Sequence, residues 1–371
     1  MKIKIKEILP IIILLALVGV LVAVILSRSG GEVDLGGGSE APAMKMHLYE
    51  VDLFEDEYGV QGYFDTVCAV YDYSGMSNQR FRSVCERVEE LLLKYHRLFD
   101  KYHQYEGLVN LATLNGAAGG EAVKVSTELF EFLQYAVSLC ELTGGEMNIA
   151  MGSVLSIWHD FREKMNDPSI SVSSVQVPGI EELSAAAAHT DISVIELDYE
   201  NMTVRISDPN AKIDVGALGK GYAAEMIGRE LAAMGVDDFL MNFGGNVKII
   251  GDKAGQDFRV GIQDPRSYFE EYISVVNVKG QSVVTSGDYE RSVIKDGVNY
   301  HHIIDRDTLM PAEHFPSVTV VTENSALADA LSTALFCMSV DDGRALVGRL
   351  RADGVTIRVI YVDYDKNVIE I

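Results

Sequence analysis

Apolar residues recur at spacings of three and four between Ser77 and Asp100, which is the pattern of an amphipathic helix with one buried face. Ser77 stands where a helix N-cap is favoured, and the aromatic and leucine side chains of this stripe are interpreted as core. The same periodicity predicts helices at Thr127–Thr143, from Gly221 to Met234 and at Ser325–Met338.

Shorter apolar runs, some of them alternating with polar residues, predict strands. The predicted strands and hairpins are His47–Phe54, Gly62–Tyr73, Ile192–Ile206 with its turn at Asp198–Asn201, Phe239–Ile250 with a break at Gly244–Gly245, Phe258–Gln263, Ile273–Val278, Ser282–Thr285, Val318–Val321 and Val355–Ile371. Residues 167–185, rich in Pro and Ser, are predicted to form a surface insertion. Because helices and strands mix without regular alternation, the sequence predicts the α+β class, with mainly antiparallel sheets and flanking helices.

The chain begins with a basic and then strongly apolar segment. Three lysines within residues 1–7 precede residues 8–26, which carry no charge and are long enough to cross a bilayer as a helix. The positive-inside rule predicts a cytoplasmic tail at residues 1–7 and an extracytoplasmic location for the chain beyond residue 28. Residues 27–46 are interpreted as a Gly/Ser-rich linker, and residues 47–371 as one large domain. The sequence favours an uncleaved single-pass anchor in the cytoplasmic membrane, with a cleaved signal peptide as the alternative.

The formal net charge of −24 limits the classes of partner. Nucleic acids and anionic lipid surfaces repel a protein of this sign, so no nucleic-acid partner is predicted. An anionic ligand would need local cations to hold it. The four cysteines lie far apart without a Cys-x-x-Cys pair, which argues against a zinc knuckle and favours buried thiols over disulfides.

A glycine-rich turn between Lys212 and Tyr222 is the first candidate for a binding site. A short β run leads into glycines 216, 219 and 221 and then into a predicted helix, so that Asp214 and Lys220 flank a tight turn. Glycines allow a ligand to approach the backbone, and a helix start presents free N–H groups to an anion. The spacing matches neither a Walker loop nor a dinucleotide fingerprint. The alternative is an ordinary strand-to-helix turn with a surface lysine.

Two further groups of residues could carry chemistry. Asp329 and Thr333 stand one helical turn apart, and this pair of oxygen donors suits Mg²⁺; the alternative is an ordinary polar helix face. The neighbours His301 and His302 would point to opposite faces of a strand, which disfavours a metal site made by both. One of them could act as a general base, or both could be structural.

The order of these segments resembles the ApbE family of FAD:protein FMN transferases over about residues 47 to 371. The motifs that carry the resemblance are Asp214-x-Gly-Ala-x-x-Lys-Gly-Tyr222, Phe243-Gly-Gly-Asn246, Thr285-Ser-Gly-Asp-Tyr-Glu-Arg291, Tyr300-x-His-Ile-Ile-Asp305 and Ala328-Asp-Ala-Leu-Ser-Thr-Ala334.

The resemblance implies an enzyme that uses Mg²⁺ to transfer FMN from FAD to a Thr or Ser hydroxyl of an exported or membrane client protein, releasing AMP. It implies that the client carries an Asp-x-x-Thr type of acceptor motif. It places Asp214 and Lys220 on FAD, and it places the metal on the Ala217 carbonyl, Asp329 and Thr333, with Ser332 beside them. The other residues that it places in the FAD cleft are Phe64, Tyr102, Glu146, Met147, Asn148, Thr285 and His302. His302 is the candidate base for the incoming hydroxyl.

The sequence departs from the family pattern at two places. Asn148 stands where the family usually has Asp, and Asp305-Arg-Asp-Thr-Leu309 replaces Asp-Pro-x-Thr-Gly. Asp305 and Thr308 have the spacing of the acceptor motif, but bulky Leu309 and Met310 come next, so self-flavinylation is not predicted. Two other functions stay open: an FAD pyrophosphatase that uses water as acceptor, and a flavin-binding protein without chemistry.

Overall fold

The computed structural model describes residues 46–51, 62–267 and 271–371. The predicted cytoplasmic tail, the apolar segment at residues 8–26 and nearly all of the linker therefore lie outside the described residues. Within the described ranges, no helix combines the length and the apolar character that a membrane span requires.

An antiparallel sheet of eight strands is the centre of the fold, with the strand order β1-β2-β6-β7-β10-β13-β14-β15. The strands are β1 His47–Glu50, β2 Cys68–Asp72, β3 Val123–Lys124, β4 Ile195–Asp198, β5 Thr203–Ile206, β6 Phe239–Phe243, β7 Asn246–Ile250, β8 Phe258–Gln263, β9 Tyr272–Val278, β10 Ser282–Gly287, β11 Val293–Lys295, β12 Val298–Tyr300, β13 Ser317–Thr322, β14 Ile357–Val362 and β15 Val368–Glu370. Three smaller antiparallel sheets contain β3 with β4 and β5, β8 with β9, and β11 with β12.

The α-helices flank these sheets. They are α1 Asn78–Phe99, α2 Leu111–Gly116, α3 Thr127–Leu142, α4 Gly152–Asn166, α5 Ile180–Ala187, α6 Gly219–Ala233, α7 Ser325–Phe336 and α8 Val340–Ala352. Helices α6 and α7 pack on one face of the central sheet, and α1 packs against α6. The β8–β9 hairpin packs on the opposite face, through Phe258 and Val276 against Val247 and Val321. The predicted α+β class with mainly antiparallel sheets is confirmed.

The strongly periodic helices lie where the sequence predicts them. Ser77 caps α1 by accepting a hydrogen bond from the Arg80 N–H, and α3 ends one residue before Thr143. The hairpin around Asp198–Asn201 and the paired strands on either side of Gly244–Gly245 are also present.

Other predictions need correction. The strand predicted from Gly62 starts only at Cys68, because Tyr63–Asp65 form a 3-10 turn in which Phe64 and Asp65 have φ of 56° and 54°. Helix α8 was not predicted, since its glycines at positions 343 and 348 interrupt the apolar stripe of Leu346, Val347 and Leu350. The segment at 167–185 contains the start of α5, whose Leu183 is buried.

Helices α6 and α7 touch at Gly221. The N–H of Gly221 donates to Asp329 Oδ2 at 2.7 Å. A Cβ atom at this glycine would come within 2.5 Å of the Ser325 carbonyl oxygen, and it would also meet the Cβ of Asp329. The close approach of the two helices therefore requires glycine at position 221.

A buried charged network fixes the same junction. Glu225 of α6 accepts hydrogen bonds of 2.9 Å each from Lys248 Nζ of β7 and from the backbone N–H of Ser325, at the start of α7. Arg229 donates to the other carboxylate oxygen, also at 2.9 Å. One carboxylate thus joins both helices to the sheet, so the direction in which α7 leaves β13 is set by charged hydrogen bonds.

We expect Gly221→Ala to lower the free energy of unfolding by about 2 kcal/mol, because overpacking at the helix contact outweighs the better helix propensity of alanine. The control is Gly348→Ala on α8, where a Cβ meets nothing within 4 Å. This control should raise the stability by up to about 1 kcal/mol. Urea denaturation of both variants checks this, and equal stabilities would contradict the proposed contact.

Candidate functional site

A cavity of about 790 Å³ opens where the C-terminal end of α1, helix α4, the start of α6 and the segment after β12 meet. Most of the residues predicted for the site line it. They are Phe64, Tyr102, Glu146, Met147, Asn148, Asp214, Ala217, Lys220, His302 and Thr333. Segments more than 200 residues apart in sequence, such as Phe64 and His302, therefore share one wall.

Thr285 is not among the residues that line the cavity. Its Oγ1 atom shares a hydrogen bond of 2.8 Å with Thr319 Oγ1 on the neighbouring strand β13. The next residue, Ser286, instead bonds Ser332 of α7, at 2.8 Å between the hydroxyl oxygens. Because strand side chains alternate between faces, Thr285 lies on the sheet face opposite α7.

Asp329 lies behind the cavity wall, beneath the first turn of α6. It is 5% exposed, and one of its oxygens accepts the Gly221 N–H. Burial raises the pKa of this carboxyl, although Lys220, the Gly221 N–H and Asn246 act in the opposite direction. One turn further along α7, Thr333 reaches the cavity itself. Lys220, the Gly221 N–H and Asn246 therefore offset only part of the cost of burying the ionised carboxylate of Asp329.

This environment fits a hard divalent cation. A carboxylate, a hydroxyl and a backbone carbonyl are oxygen donors of the kind that Mg²⁺ prefers, and the cation would offset the burial of Asp329. In the part of the chain that the structure describes, no group of three or more His, Cys, Asp or Glu side chains is arranged to hold a metal. The donors available here therefore do not favour zinc.

Asp214 is buried at the cavity wall and paired with Lys101. Lys101 Nζ donates to Asp214 Oδ2, and the Gly216 N–H donates to Oδ1 at 2.9 Å. Burial alone would raise the pKa of Asp214, but Lys101 and the Gly216 N–H bring it below its ordinary value. Lys101 was not predicted, because a lysine just after a helix end carries no sequence signal.

His302 and His301 have different surroundings, although they follow the end of β12 and do not lie on a strand as predicted. His302 lines the cavity, and its Nδ1 lies 3.2 Å from the carbonyl oxygen of Glu290. A carbonyl can only accept, so Nδ1 carries the proton and Nε2 is left as a base. Burial lowers the pKa of His302 to about 3, with help from Arg291, Lys220, Arg162 and His301. The imidazole is therefore neutral at physiological pH.

His301 is buried away from the cavity. Its Nε2 donates to the Ala312 carbonyl at 2.9 Å, and its Nδ1 accepts the Ile303 N–H at 3.2 Å. Its ring also packs edge-on against Phe336, with 5.6 Å between the ring centroids. These contacts give His301 a structural role.

Several cations of the cavity wall were missed by sequence reasoning. Arg162, Arg291 and Lys101 all line the cavity. Arg291 Nη2 donates to the Phe64 carbonyl at 2.7 Å, and so supports the 3-10 turn at Tyr63–Asp65. The carboxylates of Asp65, Asp100, Glu146, Glu163 and Asp214 line the same cavity, so its wall carries both signs of charge and an anion would bind next to the cations.

The family model for the ApbE family matches residues 64–357. The chain belongs to the ApbE family. The prediction of this family, and with it of an enzyme, is confirmed.

Curated relatives and solved structures agree with this assignment. The FAD:protein FMN transferase of Treponema pallidum (strain Nichols) is 32% identical over 297 residues, which cover 76% of this chain and 78% of the relative. The FAD:protein FMN transferase of Klebsiella pneumoniae (strain 342) is 31% identical over 281 residues, which cover 74% and 83%. The crystal structure of the ApbE protein from Thermotoga maritima matches with a TM-score of 0.72 at 29% identity, covering 87% of this chain and 96% of that chain.

We expect Lys101→Met to destabilise this ApbE-family protein more at pH 7 than at pH 4. Asp214 has a lowered pKa in the folded state, so the wild type keeps its ionised, paired form at pH 4 and loses this contribution only as the pH falls further, through the folded pKa. Without Lys101, burial makes the ionised form unfavourable, at a cost of about 2 kcal/mol at pH 7, and protonation relieves that cost in acid.

Urea denaturation of the ligand-free protein at the two pH values measures this difference. The double variant Lys101→Met with Asp214→Asn is the control and should recover most of the stability at pH 7. If Lys101→Met lowers the free energy of unfolding by the same amount at both pH values, the unpaired charge of Asp214 is not the cause of the loss, and the prediction is contradicted.

Proposed function

We propose that this protein transfers FMN from FAD to the hydroxyl of a Thr or Ser side chain in a client protein, with Mg²⁺ bound and with AMP as the second product. The observation that carries the proposal is the cavity itself. In a chain of the ApbE family, it joins Asp214, Ala217 and Lys220 of one motif with His302 and Thr333 of two others.

The reaction is a displacement at the FMN-side phosphorus of the FAD diphosphate. The acceptor hydroxyl forms a new phosphorus–oxygen bond, the bond to the bridging oxygen breaks, and AMP leaves with that oxygen. The hydroxyl proton goes to Nε2 of His302. Negative charge grows on the phosphoryl oxygens and on the leaving AMP, so cations placed next to these oxygens favour the transition state over the bound substrate.

Ala217, Asp329 and Thr333 would hold Mg²⁺. When bound, the ion would supply charge stabilisation at the phosphoryl oxygens. Lys220, in the first turn of α6, contributes a second positive charge close to the same place.

His302 gains basicity when FAD binds. In the ligand-free protein its pKa is held down by burial and by Arg291, Lys220 and Arg162. A bound diphosphate places negative charge among these cations and so raises the pKa of the imidazole. His302 is therefore a stronger base in the complex with FAD than in the free enzyme.

The location of the reaction is also part of the proposal. An apolar segment at residues 8–26, ahead of a linker, supports a single-pass anchor in the cytoplasmic membrane with the catalytic domain on the extracytoplasmic side. The client would then be an exported or membrane protein. A threonine preceded three residues earlier by an aspartate is the acceptor motif we propose.

Mass analysis of a candidate client tests the proposed function. After incubation with FAD and Mg²⁺, the client should gain the mass of one FMN minus water on its acceptor threonine, in equal amount to the AMP released. A client with that threonine replaced by alanine should gain nothing. AMP and FMN released without any covalent flavin would favour the pyrophosphatase, and no AMP at all would favour a binding protein.

We expect His302→Asn to lower kcat by about 10²- to 10⁴-fold while FAD still binds, because a general base contributes about this much. In the wild type, kcat/KM for FAD reports the free enzyme, where His302 is neutral above a pKa of about 3. That profile should stay flat from pH 7.5 to about 5, and any acid limb in kcat should lie at a higher pH than in kcat/KM. A decrease of kcat/KM below about pH 6.5 in the wild type, together with no such decrease in His302→Asn, would show that His302 titrates near its ordinary pKa. This result would contradict the account.

A further inference from the structure

Arg162 is a half-buried cation of the cavity that forms no hydrogen bond through one of its terminal nitrogens. It projects from α4 into the cavity wall. Its Nη1 atom is buried and has no hydrogen-bond partner among the residues that the structure describes. A buried N–H of a charged group without a partner is costly, so a native protein that keeps one has a reason to do so.

The other cations of the wall differ from Arg162 in this respect. Lys101 is paired with Asp214, and Arg291 donates to the Phe64 carbonyl and lies 3.9 Å from Asp65. Lys220 forms no ion pair with the described residues and was already assigned to the diphosphate. Lys220 and Arg162 therefore form no ion pair with the described residues, although the charge of Lys220 acts on Asp329 and that of Arg162 on Asp214.

The position of Arg162 points to the inner part of the cavity. Tyr102 and Asp214, two residues predicted to contact FAD, lie close enough to interact with its charge, and Arg162 in turn acts on His302. These neighbours surround the place where the reaction is proposed to occur. An arginine that recognised the surface of a client would instead be expected at the exposed rim.

We propose that Arg162 binds a phosphate oxygen of the FAD diphosphate, in the cavity that Lys220 also lines. The inference rests on the proposed function in taking FAD as the ligand. A diphosphate diester carries two negative charges and several phosphoryl oxygens, so it can accept hydrogen bonds from Arg162 as well as from Lys220. The planar guanidinium donates two parallel N–H groups to phosphate oxygens, and this gives Nη1 the partner that it lacks in the protein.

Equilibrium binding of FAD and of riboflavin to Arg162→Met tests the proposal. Methionine keeps much of the side-chain volume and removes the charge. FAD affinity should fall by about tenfold or more, as expected for a lost charge-assisted hydrogen bond, whereas riboflavin, which has no phosphate, should bind as it does to the wild type. Arg162→Lys should give an intermediate affinity for FAD, because it keeps the charge and loses the planar pair of donors.

The matched control is Lys164→Met, which removes the same charge from an exposed position on the same helix. It should leave the affinity for FAD within twofold of the wild type. The thermal midpoint of ligand-free Arg162→Met should be equal to or higher than that of the wild type, because an unpaired buried charge has been removed. A purely structural role would lower that midpoint.

Three results would overturn the inference. One is FAD affinity in Arg162→Met within twofold of the wild type. Another is an equal loss for FAD and riboflavin, which would mean that the flavin pocket is distorted. The third is unchanged FAD affinity with a raised KM for the client, which would assign Arg162 to the acceptor protein. A wild type that transfers FMN while the variant binds FAD normally would refute only the role of Arg162, whereas a wild type that binds no flavin would refute the proposed function as well.

Discussion

The contact between α6 and α7 is the constraint on which the site depends. Gly221 brings the two helices close enough for its N–H to reach the carboxylate of Asp329, and Glu225 joins both helices to β7 through charged hydrogen bonds. This junction sets Asp329 beneath the first turn of α6, where the charge of Lys220 acts on its carboxylate. It also brings Thr333 of α7 to the cavity that Ala217 and Lys220 line, although these residues lie about 110 positions earlier in the chain.

Electrostatics explain how so acidic a protein can hold an anion. Lys101, Arg162, Lys220 and Arg291 line one cavity of this chain of net charge −24, together with five carboxylates, so an anion would bind next to these cations. Lys101 and Arg291 form hydrogen bonds with Asp214 and with the Phe64 carbonyl, and so hold parts of the wall together. The other two are free to act on a ligand, and all except Lys101 help to keep His302 neutral. The same charges that would bind the diphosphate therefore also set the protonation state of the proposed base.

Local patterns predicted α1, α3, α6 and α7 and the motif residues, because periodicity and glycine spacing are properties of the sequence itself, but they did not predict α4. Local patterns did not show where a side chain lies relative to segments that are distant in the sequence. Thr285 belongs to a family motif, yet its bond to Thr319 turns it to the sheet face away from α7, and only the strand register shows this. Lys101 and Arg162 stand in no motif, so their role could be seen only after folding had brought α1 and α4 to the same wall. Helix α8 was missed because its glycines hide an otherwise regular apolar stripe.

The central claim is that the α6–α7 junction holds a divalent ion against the FAD diphosphate. The most direct measurement replaces Mg²⁺ with paramagnetic Mn²⁺ and records the ³¹P resonances of bound FAD, in the wild type and in Asp329→Asn, whose amide oxygen can still accept the Gly221 N–H. The account predicts strong broadening of the phosphorus signals in the wild type and its loss in the variant. Absence of broadening in the wild type, or equal broadening in both proteins, would contradict it.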